Sequence, residues 1–498
     1  MDLSHWIERH AAFAPRKIAL RFAGADLTYA DFAQRIERAA AALTRLGIQP
    51  SDRVAFLGFN HPVLLVLLFA CARLGAILVP LNWRLAPPEH AWMLADCSPR
   101  ALVAEPAFVE HAAVCAANLP ALTLISVGAA SAGWLSWDEL TAAAGAGRVR
   151  SGDDQSPVLL CYTSGTTGVP KGVVLNQRAL ASNAINSAHL HALTSEDRVL
   201  TTLPLFHVGG LNIQTTPAFH AGASVVLHAK FDAAATIEAL ETERITLAVL
   251  VPAQLVAMME SPRWRASDLS SLRMIATGST IVSEAFVRKV GERGIPVVQV
   301  YGSTETCPIA GYVRAQDWSR KAGSAGLPAL HCGLRVVDGE GHDLPCTRDG
   351  EILVRGANVM TGYWNAPERT REALDGGWYR TGDIGHFDAD GYLYVASRKT
   401  EMIITGGENV YPAEVERILL ESPLVEDACV VGRPDERWGE IVVAAVVLKT
   451  GARMSEADAA ELFRGRIARY KHPREIRFVA SLPRNALGKV QRHQVLAT

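Results

Sequence analysis

Apolar positions along the chain fall into two alternating patterns, a helical spacing of three and four and short unbroken runs, from residue 27 to about residue 300. Thr28 with Asp31 makes a capping-box pattern, apolar residues recur through Ala30, Ile36 and Ala40, and Gly47 stands just past the end, so a helix is predicted there. Arg53–Leu57 then reads as a strand, and the unit repeats as helix 62–74 with strand 75–79 and helix 178–190 with strand 198–202. The most apolar window, 63–81, is interrupted by Arg73 and Pro80, which predicts a buried helix running into a strand in preference to a transmembrane span. Further strands are expected at 247–252, 272–276 and Val297–Tyr301, while the Ala/Gly-rich stretch 127–149 reads as a tolerated surface insertion. Alternating helices and short apolar strands predict an α/β fold with largely parallel sheets.

The texture then changes. Around and after Gly350 come short strands punctuated by Asp338-Gly339, Asp349-Gly350 and Asp390-Gly391, a β-rich region. The polar stretch 397–401 marks a boundary. Beyond it stand a glycine turn at Gly406 and Gly407, a helix with Pro412 at its first position, strands near 425–431 and 440–448, and a helix capped by Ser455 with Asp458. The expected organisation is a large α/β unit over residues 1–397, with packed sheets and a β-rich subdomain, and a small α+β unit over residues 398–498. A chain of 498 residues is long enough to require more than one core.

Composition narrows the function classes. Hydrophobic residues make up 49% and charged residues 20%, ordinary for a globular protein, and a formal net charge of −2 leaves no general electrostatic footprint for nucleic acid or anionic membranes. Polyanion binding must therefore be local. The eight cysteines form no C-x-x-C pair and no zinc-spaced cluster with histidine, which predicts neither a disulfide framework nor a structural metal. Neither end carries a secretory, peroxisomal or lipidation signal, so a cytoplasmic location is expected.

Local polyanion chemistry is concentrated at 162–172, YTSGTTGVPKG, directly after the apolar run 158–161. Gly165, Gly168 and Gly172 free the backbone to turn N–H groups toward an anion; Thr163, Ser164, Thr166 and Thr167 add hydroxyl donors; Lys171 supplies a mobile positive charge. The stretch approaches a P-loop but departs from it, with Pro170 at the second glycine and Gly172 at the metal-binding hydroxyl. A short strand, 172–175, follows, and a helix opens only after Asn176. A plain polar hairpin is the bland alternative, but so many hydroxyls and glycines beside a lysine favour a phosphate holder.

Other candidates sit at strand ends, where α/β folds bind ligands. Strand 272–276 delivers Thr277, Gly278 and Ser279, and Val297–Tyr301 delivers Gly302, Ser303, Thr304 and Glu305, so these turns are expected to converge on one cleft. Glu305 is a fitting Mg²⁺ ligand opposite phosphates, though a lone carboxylate is more often simply exposed. His207, followed by Gly209 and Gly210, is a candidate for lining a pocket or for a satisfied structural role. Asp383, in YRTGD at 379–383, is placed to accept from ribose hydroxyls or to close an Asx-turn. Lys489 on its glycine turn would, alone, be read as exposed.

Taken together, YTSGTTGVPKG, YGSTE (301–305), YRTGD, SRKTEMIITGGENVYPAEVE (397–416) and PRNALGKV (483–490) resemble the acyl-adenylate-forming superfamily, and within it acyl-CoA synthetases of fatty-acid and aryl-acid type. The resemblance runs over nearly the whole chain and in the family's order. It implies a large N-terminal domain, a small mobile C-terminal lid, and a two-step reaction between them. A carboxylate attacks the α-phosphorus of MgATP to give an acyl-adenylate and pyrophosphate, and the thiol of coenzyme A then displaces AMP. The family pattern puts the loop from Thr163 to Lys171 at the β,γ-phosphates, Thr304 at the α-phosphate, Glu305 on Mg²⁺, Asp383 and Arg398 at the ribose, and Tyr301 with the 277–279 backbone at the adenine. Lys489 is implied as the adenylation lysine, Gly406, Gly407 and Trp438 as the pantetheine tunnel, and the segment after Arg398 as the hinge. Thr400 stands where the hinge usually has Asp or Lys, Ser397 replaces a common glycine, and 277–281 reads TGSTI where GGAP is frequent. The basic run Arg464, Arg466, Arg469 and Lys471 has two readings, a contact with CoA phosphates or a solvated helix end.

The implied acyl pocket, His207, Val208, Gly209, Thr277, Gly278, Gly302 and Ile309, holds no charged residue. A second carboxylate or an ammonium buried there would be costly, so a neutral-tailed monocarboxylate, aliphatic or aryl, is expected. Malonate-type relatives carry an arginine where this chain has Ala257, and amino-acid-activating ones an aspartate where it has His207. The alternatives are transfer to a carrier protein, a nucleotide-binding regulatory protein without turnover, and luciferase-like oxidation of the adenylate. A homodimer would be unsurprising.

Overall fold

The short apolar runs become strands in separate sheets, and the helical spacings become helices between them. The computed structural model describes residues 1–128, 130, 133–145, 149–163, 170–279, 282–398, 402–483 and 490–496. A nine-stranded sheet carries Arg198–Thr201, Ser224–Leu227, Leu247–Val249, Met274–Gly278 and Val297–Tyr301 in parallel, with antiparallel strands at both edges. An eight-stranded sheet holds Arg53–Leu57, Ile77–Leu81 and Ala101–Ala104 in parallel and ends in the antiparallel pair Pro157–Thr163 and Lys171–Asn176. A five-stranded antiparallel sheet built on Gly350–Gly356 and Trp378–Phe387 follows, and the small C-terminal sheet pairs Val425–Asp435 with Gly439–Leu448.

Local sequence explains the main elements. Thr28 and Asp31 form the expected capping box at the head of helix Tyr29–Arg45. Helix Pro62–Leu74 is buried from Val63 to Leu74, and each leucine in it contributes about 1.5–3 kcal/mol by leaving water. Its one charge, Arg73, is buried but paired to Glu8, which is how an arginine is tolerated in that run. No helix among the described residues is long and apolar enough to cross a membrane.

Several boundaries differ from expectation. Strand Leu247–Val249 stops short because Pro252 opens helix Pro252–Met259, whose first turn needs no N–H there. The stretch 127–149 is more than a surface insertion: Leu135–Ser136 joins the eight-stranded sheet and Trp134 and Trp137 are buried beneath it. Two large indoles removed from water outweigh the Ala/Gly signal around them.

The small unit docks on the large one by packing and charge. Ala468 is buried in a core cluster with Leu57, Leu81 and Met93 of the large unit. Lys471, 3% exposed, donates to Glu89 of the large unit and to Glu414 of its own, at 2.7 Å each. Burial works against the ammonium, but the surrounding Tyr470, Glu414 and Glu89 hold its pKa above the ordinary value. The solvated-helix-end reading therefore fails at Lys471. Arg84 pairs with Glu408, a second bridge between the units.

Candidate active site

Strand Pro157–Thr163 and strand Lys171–Asn176 form an antiparallel pair in which Thr163 faces Lys171 across the register. Asn176 caps the next helix by accepting from the Ala179 N–H at 2.8 Å, so strand Lys171–Asn176 runs directly into a helix as the sequence predicts. Ser164, Gly165, Thr166, Thr167 and Gly168 lie outside the described residues, as do Thr400 and Lys489. Strand Gly362–Tyr363 adds to this pair and brings Tyr363 opposite Val173.

Strand Val297–Tyr301 ends at Gly302, where a Cβ would meet the Pro308 carbonyl oxygen at 1.6 Å. Only glycine lets the chain fold back there into the short turn Thr304–Thr306. Buried Asn358 holds that turn, donating to the carbonyls of Thr306 at 2.7 Å and Ile309 at 3.0 Å. The turn presents Glu305, 5% exposed, to Lys171, whose Nζ lies 3.1 Å from its Oε1. Tyr363 donates to the same oxygen at 2.9 Å, and Lys171 sits 4.5 Å over the Tyr363 ring. Burial alone would raise the Glu305 pKa, but the Lys171 charge and these hydrogen bonds bring it down to about 2. The carboxylate is thus ionised at every working pH.

Glu305, Lys171 and Tyr363 open on a cleft of about 480 Å³. Its walls also include Thr163, His207, Val208, Gly209, Ser279, Gly302, Thr304 and Asp383, so the strand-end turns expected to converge meet in one cleft. Tyr301 donates to Asp383 at 2.9 Å, and the backbone of Arg398 pairs with that of Asp383 in the adjoining strand. Thr277 and Ile309 are fully buried beside this wall and do not line it; Gly278, absent from the wall too, packs against the Val300 carbonyl. Ile213, Val300 and Pro308 take that place.

A second cavity of about 310 Å³ runs between the two units, lined by Gly406, Gly407 and Trp438 from the small one and by Val251, Gln254 and Ser279 from the large one. Gly406 and Gly407 have φ of 59° and 83°, and a Cβ on Gly406 would press on the Trp438 ring at 3.1 Å. His207 lines both this cavity and the cleft. Its Nδ1 accepts the Gly209 N–H at 3.0 Å. Burial lowers its pKa, so the ring is neutral near pH 7 and its one proton sits on Nε2.

Sequence reasoning missed Tyr363, Asn358, Tyr379 and the small unit's Asn409 and Tyr411, the last three of which line the cleft. Tyr363 and Asn358 act through pairings remote in sequence, and no local spacing marks them.

Comparison with known proteins agrees with this architecture. Residues 7–364 match the family model described as AMP-binding enzyme, and residues 414–489 match that of the AMP-binding enzyme C-terminal domain. The chain is 56% identical to an indoleacetate–CoA ligase from Aromatoleum aromaticum, over 99% of this chain and 98% of the relative. It is 40% identical to a feruloyl-CoA synthase from an Amycolatopsis species, over 99% and 98%. Among solved structures, a double mutant of the o-succinylbenzoate CoA synthetase of Bacillus subtilis, bound with its product analogue OSB-NCoA, superposes with a TM-score of 0.88, 31% identity and coverage of 99% and 98%. The same enzyme in complex with its acyl-adenylate intermediate OSB-AMP gives a TM-score of 0.72 at 31% identity, covering 98% and 97%. The chain belongs to the AMP-binding enzyme family, the acyl-adenylate-forming superfamily its motifs resemble, and is an enzyme of the acid–thiol ligase class.

Proposed function

We propose that the protein joins a neutral aryl monocarboxylate to coenzyme A through an acyl-adenylate. The observation that carries this reading is the position of His207, a single imidazole shared by the phosphate-side cleft and the cavity between the units. Two substrates approaching from the two cavities would meet at that ring.

In the first step the acid's carboxylate attacks the α-phosphorus of ATP and pyrophosphate leaves. Two anions are brought together, so the step needs positive charge where negative charge builds up. Lys171 and Thr163, with the loop they frame, are assigned to the β,γ-phosphates, Thr304 to the α-phosphate, and Asp383, Tyr301 and Arg398 to the nucleoside. An ionised Glu305 in a phosphate-sized cleft suits Mg²⁺, a hard cation that takes few carboxylates and otherwise water and phosphate oxygens. Bound there, the ion would neutralise phosphate charge, and Lys171 would be released from Glu305 toward the triphosphate. Lys489 is assigned, from the motif it ends, to the α-phosphate and carboxylate during this step.

In the second step the CoA thiol sulfur bonds to the acyl carbon, the carbon–oxygen bond to AMP breaks, and the thiol proton leaves to solvent or to the departing phosphate. His207 cannot be the base in this arrangement, because its only lone pair is occupied by the Gly209 N–H. Its Nε2–H instead donates to the oxyanion that forms on the acyl carbon. The pantetheine arm is assigned to the cavity at Gly406, Gly407 and Trp438. The higher likeness to the relative bound with a CoA product analogue, 0.88 against 0.72, supports reading this arrangement of the two units as the thioester-forming one.

For the acid, the wall of Gly209, Ile213, Val300 and Pro308 offers no charged partner, which favours a neutral tail. The indoleacetate and ferulate named for the two relatives favour an aromatic one. The boundary between the units is placed at residue 398, and both substrates are soluble small molecules, in keeping with a cytoplasmic site of action. The test is CoA-dependent AMP and thioester formation across arylacetic, cinnamic, fatty, dicarboxylic and amino acids; thioester from the charged acids alone would refute the reading.

A further inference from the structure

Two histidines and a cysteine that the reaction does not use converge on the large unit, between helix Pro87–Cys97 and helix Val109–Ala116. His111 and Cys115 are four residues apart and so share a helix face, and His90 comes from the facing helix. His90 Nδ1 lies 2.8 Å from His111 Nε2, and one donor atom from each of the three residues lies within 4.8 Å of the others. His90 and Cys115 are 0% and 4% exposed, while His111 is half-buried and leaves the cluster a side open to solvent.

The tautomer at His90 is decided by its other nitrogen. Nε2 faces the Asn82 backbone carbonyl at 3.0 Å, an acceptor only, so the proton is on Nε2 and Nδ1 presents its lone pair to the cluster. A carbonyl behind one ring nitrogen, fixing the other toward a common point, is how proteins orient an imidazole for a metal. Hydrogen bonding accounts for part of the proximity, since the His111 Nε2–H donates to His90 Nδ1 and the Cys115 thiol donates to the Pro87 carbonyl at 3.4 Å. It does not account for a thiol and two imidazoles offering ligand atoms within 4.8 Å of one another with the remote nitrogen of His90 already tied back.

We propose that His90, His111 and Cys115 form a binding site for a borderline-soft divalent cation, Zn²⁺ in the first place. Two imidazoles and a thiolate are the donor set zinc takes, with nitrogen at about 2.0–2.1 Å and sulfur at about 2.3 Å. Tetrahedral geometry at those lengths needs the two ring nitrogens about 3.3 Å apart, half an ångström wider than they stand. Water fills the fourth position, and the Cys115 proton is released on binding. The ion would tie together the two helices, one of which carries Glu89, the anchor of Lys471.

The test uses the full chain stripped of metal by a chelator. Zn²⁺ titration followed by calorimetry is expected to show one tight equivalent with proton release and a rise in melting temperature. Co²⁺ as a probe is expected to give a thiolate-to-metal charge-transfer band. His111→Ala, on the open side of the cluster, and Cys115→Ser, a near-isosteric change at the buried thiol, should each weaken Zn²⁺ at least about tenfold and remove the band, with circular dichroism and pyrophosphate release unchanged. Absence of a tight equivalent in the parent protein, or binding by both variants as tight as the parent's, would overturn the site.

Discussion

Lys171 Nζ stands 3.1 Å from Glu305 Oε1, an ion pair between two segments 134 positions apart in the chain and closed off by the Tyr363 hydroxyl. The pair holds a carboxylate and an ammonium side by side on the wall of the cleft. In the reaction proposed above, both charges would face the phosphates and Mg²⁺ of the nucleotide. Glu305→Gln is expected to lower pyrophosphate release by about 10²–10³-fold, comparable to removing one preorganised electrostatic contact at a reacting centre. Because its carboxyl titrates near 2, wild-type activity should show no acid limb from this residue between pH 4 and 8. A Glu305→Gln variant with unaltered release would remove Glu305 from the reaction.

In the proposed mechanism His207 serves the second half-reaction and not the first. His207→Ala should slow thioester formation from supplied acyl-adenylate by about 10²–10³-fold, the cost of one oxyanion donor, and affect pyrophosphate release much less. His207→Asn, which restores a donor, should recover part of the loss. The Nε2–H is already present at neutral pH, so the wild-type rate should not rise on acidification through the ordinary histidine range. A rate that rose there would show protonation of the ring to be required.

Lys471 and Glu89 hold the two units in the arrangement seen here, at 2.7 Å. Glu89→Gln keeps the Lys471–Glu414 bond within the small unit and weakens only the docking. Thioester formation should fall while adenylation is spared or improved. Lys471→Met should also lower stability, by about 3–5 kcal/mol, because Glu414 is left buried without its cation. Equal loss in both half-reactions with Glu89→Gln would show that this bridge does not select between lid positions.

Stability should fall in acid through one half-buried and one buried histidine. His61 and His191 are pushed by burial from 6.5 down to about 4, so below pH 6.5 the unfolded chain binds protons that the folded one refuses. Stability from these groups is complete above 6.5 and is lost progressively as the pH drops toward 4. His61 Nδ1 accepts the Val63 N–H at the head of its helix, and His61→Asn keeps that cap without the titration. Melting temperature against pH should therefore flatten in His61→Asn between 6.5 and 4. An unchanged slope would assign the acid sensitivity elsewhere.

Much of this was legible in the residues themselves, where the signal was local. Thr28 with Asp31, Asn176 after its strand, and Gly302 before Glu305 each fix a turn or cap within a few positions, and the structure places them accordingly. What escaped depends on partners far along the chain. Lys471 reads as one of a basic run until Glu89, 382 positions away, is seen to neutralise it. Tyr363 sits in a two-residue strand with no motif around it, and only its pairing with Val173 brings it to Lys171. Pro252 was readable, since a proline suits a helix's first turn better than a parallel strand, but the apolar run before it masked the boundary.

The central claim, two half-reactions meeting at one imidazole, is tested most directly by following both products with one aryl acid, such as an arylacetate, MgATP and CoA. The account predicts pyrophosphate and acyl-adenylate without CoA, AMP and thioester once CoA is added, and selective loss of the thioester in His207→Ala. Pyrophosphate release with no thioester at any CoA concentration would contradict it and turn attention to a different acceptor.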